Sequence, residues 1–114
     1  QRLCRTICGN CKEPFHPGEK TLKDVNFPED MLVGAQFMRG AGCQNCNYTG
    51  YRGRTGIFEL LVMNEEMKEL VLQNTPANIL KTAAVRNGMR VLRNDGFRKV
   101  ALGMTSIVEV VRVA

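Results

Sequence analysis

The chain has 114 residues, 44% hydrophobic and 24% charged, which is the composition of a folded domain and excludes a disordered tail. No apolar run nears the ~18 residues that a membrane-spanning helix needs, and no signal-peptide pattern opens the chain. Sixteen basic residues against eleven acidic ones leave a formal charge of +5, a balance that favours acidic partners only weakly.

The first residue is Gln1 rather than Met, so the sequence reads as a piece of something longer. Arg2 to Ile7 reads as the end of a helix or a strand leading into Cys8-Gly9-Asn10-Cys11, the first of two Cys-x-x-Cys pairs. Two thiolates separated by two residues reach one ion from a tight turn. The second pair, Cys43-Gln44-Asn45-Cys46, supplies the other two sulfurs of a closed tetrahedral site. Cys8, Cys11, Cys43 and Cys46 therefore read as ligands of one structural Zn²⁺, with an iron–sulfur cluster or another metal as the alternative. Disulfides are disfavoured without a secretory signal. Four thiolates around Zn²⁺ add −4 + 2 = −2, which takes the balance from +5 to +3. The fifth thiol, Cys4, reads as a small, partly buried apolar residue, and His16, beside a Pro17-Gly18 turn, as an exposed loop residue.

Between the pairs, Pro28 opens a short helix with Glu29 and Asp30 in its first turn, and Phe37-Met38 reads as a short strand. After them, the glycines at 50, 53 and 56 predict a tight hairpin packed close to the metal, with Tyr48 and Tyr51 shielding the sulfurs. Ile57 to Met63 alternates apolar residues on both faces and predicts a strand.

Four short helices follow. Asn64 caps the first, whose stripe is Met67, Leu70 and Val71. Thr75-Pro76 starts the second, with Ile79, Leu80, Ala83 and Ala84 inward and Gly88 at its end. The third carries Val91, Leu92, Val100 and Leu102 and stops at Gly103. Its Gly96 marks a close helix crossing or a break. Ser106 and Glu109 have capping-box spacing at the start of the fourth, with Ile107, Val110 and Val111 as its apolar face. The fold class is α+β: a tetracysteine zinc-binding subdomain over 1–56 with short strands, then a strand and a helical bundle over 57–114. Such a bundle lies near the lower size limit for independent stability.

No Gly-x-x-x-x-Gly-Lys-Ser/Thr phosphate loop is present, and one histidine cannot build a Ser/His/acid set. Four sulfurs leave no open position for an activated water. The chain therefore reads as non-catalytic, with the ion closing a loop too small to fold unaided.

Several strings together resemble the tetracysteine segment of the bacterial type II secretion and type IV pilus assembly ATPases. They are Gln1-Arg2-Leu3, the two cysteine pairs, Gly50-Tyr51-Arg52-Gly53-Arg54-Thr55-Gly56-Ile57-Phe58-Glu59-Leu60-Leu61, Gly88-Met89, Asp95-Gly96, Gly103-Met104-Thr105 and Glu109-Val110-Val111-Arg112-Val113. The resemblance spans essentially the whole chain in order. It implies the C-terminal region of a cytoplasmic homo-hexameric motor, peripheral to the inner membrane through its platform protein. ATP and Mg²⁺ would be held by residues upstream of Gln1, and the partners would be other subunits and that platform protein, with no nucleic acid and no membrane insertion. Cys4 departs from the usual aliphatic residue there. Arg52 and Arg54 would pair with acidic groups across a subunit boundary or approach a nucleotide phosphate. The competing reading is a zinc-ribbon or chaperone-like module for nucleic acid or unfolded chains. Against it, aromatics make up only 6% of the chain and no basic stripe interleaves with them.

Overall fold

A computed structural model describes residues 1–114. Its elements are β1 (Arg2–Ile7), β2 (Lys12–Pro14), α1 (Glu19–Asp24), a 3₁₀ turn (Glu29–Met31), β3 (Met38–Gly40), a second 3₁₀ turn (Gln44–Cys46), β4 (Tyr51–Ile57), α2 (Glu65–Leu72), α3 (Ala77–Arg86), α4 (Leu92–Ala101) and α5 (Ile107–Val113). Short antiparallel strands beside helices make the fold α+β, and all four helices expected after Met63 are present. No helix is long and apolar enough to cross a membrane.

The chain forms two compact units, residues 1–58 with 92–114, and residues 59–91. The expected boundary lay between 56 and 57; here α4 and α5 join the first unit because they pack on β4 and β1. In the first unit β1 pairs antiparallel with β4, in the register Arg2↔Ile57 to Arg5↔Arg54 and, past a bulge, Ile7↔Tyr51. β2 pairs with β3, Lys12 opposite Gly40. Cys4 from β1 and Ile57 from β4 reach into a core with Phe27, Phe97, Val100, Ile107 and Val110. The Phe27 ring lies 5.0 Å from that of Phe97 and edge-on to Phe37 at 5.4 Å. Cys4 is fully buried there, as the apolar reading requires.

Gly96 on α4 is the crossing point with α5. A Cβ at that position would stand 2.6 Å from a Val110 methyl, so only glycine lets the two helices approach this closely. α5 starts as its spacing predicts, with the Ser106 hydroxyl accepting from the Glu109 N–H at 3.2 Å. The second half of the capping box does not close, because the Glu109 carboxylate turns to Arg5 instead.

The second unit is built on α2 and α3. Asn64 Oδ1 accepts from the Met67 N–H at 2.9 Å and caps α2. Met67 is buried against Ala83 and Ala84, with Leu70, Leu80 and Met89 around them. Glu66 joins the helices through Arg86 and, at 3.0 Å, the Asn87 amide. Ile79 and Val71, expected to face inward, are about half exposed.

The expected strand over 57–63 is not formed. Strand structure ends at Ile57, and Phe58, Leu60, Leu61, Val62 and Met63 are all exposed. No strand pairs with residues 58–63 despite their alternation. The glycine-rich run before it, expected as a hairpin, is itself β4, because β1 offers it an edge.

Candidate metal centre

The two strand ladders converge on the cysteines. β1 ends at Ile7, so Cys8 follows directly, and its N–H donates to the Gly50 carbonyl at 2.9 Å just before β4. The β2–β3 ladder places Cys11, the residue before Lys12, beside the stretch that leaves Gly40, and the Ala41 N–H donates to the Cys11 carbonyl at 3.1 Å. Gly40 and Gly50 pack backbone to backbone. A Cβ on Gly40 would lie 2.0 Å from the Gly50 oxygen, so a side chain there would part the two loops. The second 3₁₀ turn then folds Cys43 and Cys46 back toward the first pair.

The result is a four-sulfur cluster. The Sγ atoms of Cys8 and Cys43, of Cys11 and Cys46, and of Cys43 and Cys46 are each 3.8 Å apart, and all four lie within 4.8 Å of one another. A tetrahedron with metal–sulfur bonds of ~2.3 Å has edges of ~3.8 Å, so the cysteines fit one ion rather than a polynuclear cluster. N–H donors surround the sulfurs. Cys46 accepts from the Cys43 N–H at 3.3 Å and the Gly50 N–H at 3.2 Å. Cys11 accepts from the Gly42 N–H at 3.3 Å, and Cys43 from the Asn10 amide at 3.2 Å. Such donors suit thiolates.

Four sulfurs this close cannot all ionise unless a cation stands between them. Burial, and then hydrogen bonding to the neighbouring thiols, pushes Cys11 up to about 12 against the pull of the Gly42 N–H. Burial also works against Cys46, but the N–H groups of Cys43 and Gly50 prevail and bring it down to about 6. A divalent cation removes this conflict by favouring thiolate at every position. An ion held by all four sulfurs would keep no coordination position for water.

All four predicted ligands are thus brought together, and Cys4 and His16 lie outside the cluster. Tyr48 and Tyr51 do not shield the sulfurs. Tyr48 is 75% exposed, whereas the Tyr51 hydroxyl bonds Ser106 Oγ at 2.7 Å and its ring lies under the Arg5 guanidinium at 4.4 Å. Arg52 and Arg54 are exposed on β4, with Arg54 opposite Arg5 in register. Sequence reasoning missed the donors Asn10, Gly42 and Gly50. The bonds from Asn10 and Gly42 span chain crossings that local patterns do not specify, whereas the Gly50 N–H reaches Cys46 from four positions along the same turn.

A family model described as Type II/IV secretion system protein matches residues 1–112. The Type IV pilus assembly ATPase PilB of Thermus thermophilus is 39% identical over 110 residues, covering 96% of this chain and 12% of the relative. The Myxococcus xanthus protein of the same name is 40% identical, covering 97% of the chain and 20% of the relative. The Type II secretion system ATPase E of Vibrio cholerae is 38% identical, covering 99% and 22%. The chain therefore spans about a fifth or less of the length of these relatives. With the tetracysteine cluster formed and the match running nearly end to end, the chain belongs to the type II/IV secretion system protein family.

Proposed function

We propose that this chain is a zinc-stapled, non-catalytic region of a motor ATPase that couples ATP hydrolysis to type II secretion or type IV pilus assembly. Its relatives carry those names and match it over almost its full length. The observation that carries the structural half is the set of 3.8 Å sulfur separations, the edge length of a zinc–thiolate tetrahedron. In this reading Cys8, Cys11, Cys43 and Cys46 hold Zn²⁺. The ion supplies a rigid cross-link between the turn after β1 and the turn before β4. Held this way, the strands and the α4–α5 pair present one fixed surface to neighbouring subunits of a hexamer and to an inner-membrane platform protein. ATP and Mg²⁺ are bound by other parts of the motor, and the protein is cytoplasmic and peripheral to the membrane. Arg52 and Arg54 contribute charge to a subunit boundary.

The test uses the full-length motor. Replacing Cys8 and Cys11 by serine is expected to abolish transport or pilus extension and to reduce hexamer-dependent hydrolysis, while nucleotide binding persists. Full transport by the serine variant would contradict the reading. R52E/R54E with unchanged hydrolysis and hexamer formation would remove the proposed role of the two arginines.

A further inference from the structure

Each Cys-x-x-Cys pair carries asparagine at its third position, Asn10 in the first and Asn45 in the second. Their surroundings differ. The Asn10 amide donates to Cys43 Sγ at 3.2 Å, bridging 33 positions of sequence from one turn to the other. Asn45 is exposed and no sulfur accepts from it. Cys46 takes the backbone N–H groups of Cys43 and Gly50, Cys11 takes that of Gly42, and Cys43 takes the Cys46 N–H of its own turn. The Asn10 amide is the side-chain donor to these sulfurs and brings Cys43 a partner from the opposite turn.

We infer that Asn10 is a positioning residue for the metal centre: its amide aims and partly neutralises the Cys43 thiolate and ties the first turn to the second. The inference rests on the zinc reading above. A donor already in place spares the sulfur reorganisation when the ion binds, and partners of this kind typically matter 10–100-fold in metal affinity. Asn10 is itself exposed, so deleting its side chain removes no core packing and the effect falls on the sulfur.

The experiment measures zinc affinity of the 114-residue chain by competition with a chromogenic chelator, and in parallel the thiolate-to-metal absorption of the Co²⁺-loaded protein. Asn10→Ala is expected to weaken zinc binding about 10-fold and to shift the Co²⁺ band. Asn10→Asp sets an acceptor oxygen against the thiolate and is expected to weaken it further, toward 100-fold. Asn45→Ala, the same change at the matching position, is expected to leave both readouts unchanged. Wild-type affinity in Asn10→Ala, or an equal loss in Asn45→Ala, would overturn the positioning role while the metal reading stands. A wild-type chain that binds no stoichiometric zinc would overturn the metal reading itself, and this inference with it.

Discussion

One carboxylate, that of Glu109 on α5, takes both the backbone and the side chain of Arg5 on β1. The Arg5 N–H donates to Oε2 at 2.8 Å, and its guanidinium donates to Oε1 through Nε at 3.0 Å and Nη2 at 2.8 Å. Arg112 closes the other side at 2.9 Å, and the Glu109 side chain is fully buried. Thr105 Oγ1 adds a bond to the Arg5 carbonyl at 2.8 Å. The strand that leads into the first cysteine pair is thus anchored to the last helix.

Burial opposes ionisation of Glu109, but hydrogen bonds from Arg112 and then from the Arg5 side chain and backbone win, and hold the carboxyl down to about 2 from an ordinary 4.5. A carboxyl depressed in the folded state stabilises it above the unfolded value, and that contribution fades as pH falls from about 4.5 toward about 2. Glu109→Gln removes charge-assisted bonds from a buried site and is expected to cost about 2–3 kcal/mol at neutral pH. The gap between wild type and Glu109→Gln should narrow across that acid window. Chemical denaturation of both proteins at several pH values checks it, and a gap independent of pH would contradict the assignment.

Gly96→Ala sets helix propensity against packing. Alanine gains about 1 kcal/mol in a helix interior over glycine. The added methyl would meet Val110 at 2.6 Å, and overpacking costs about 1–3 kcal/mol. The expected net effect is a loss of about 1 kcal/mol, read from thermal or denaturant unfolding. Val110→Ala costs stability by itself as a core truncation, but in that background Gly96→Ala should cost less than in wild type, because the smaller side chain clears the clash.

Cys4 is a core residue and not a ligand. Burial, and then the Glu109 charge, push its thiol upward, so it stays protonated and slow toward alkylating reagents. Cys4→Ala is expected to keep the full metal content and to cost about 1–2 kcal/mol of stability. Metal analysis beside an unfolding curve separates the two effects; loss of the ion would make Cys4 part of the site.

What was legible in the sequence was carried by short spacings. The Cys-x-x-Cys pairs and the Asn64 and Ser106 caps follow from residues within a turn of each other, and the Gly96 crossing from one glycine inside a helical pattern. What was not legible depends on distant partners. β4 is rich in glycine and arginine and has little strand propensity of its own; it is a strand because β1 pairs with it. Residues 58–63 continue the apolar alternation but pair with no strand, so they stay irregular, with Phe58, Leu60, Leu61, Val62 and Met63 exposed. α1 has no buried residue and no side-chain cap, and the sequence offers no periodic signal for it. The Arg5–Glu109 anchor joins positions 104 apart, and nothing local announces it.

The most direct measurement is metal content joined to backbone protection. Native mass spectrometry of the purified chain should find one zinc ion per chain, lost when Cys8, Cys11, Cys43 or Cys46 is replaced by serine. Hydrogen exchange should then show the amides of β1 and β4 losing protection once a chelator strips the metal, because the two turns part. A chain without stoichiometric metal, whose β1 and β4 amides stay equally protected in chelator, would mean that the sulfurs hold no ion and that the strands stand without one.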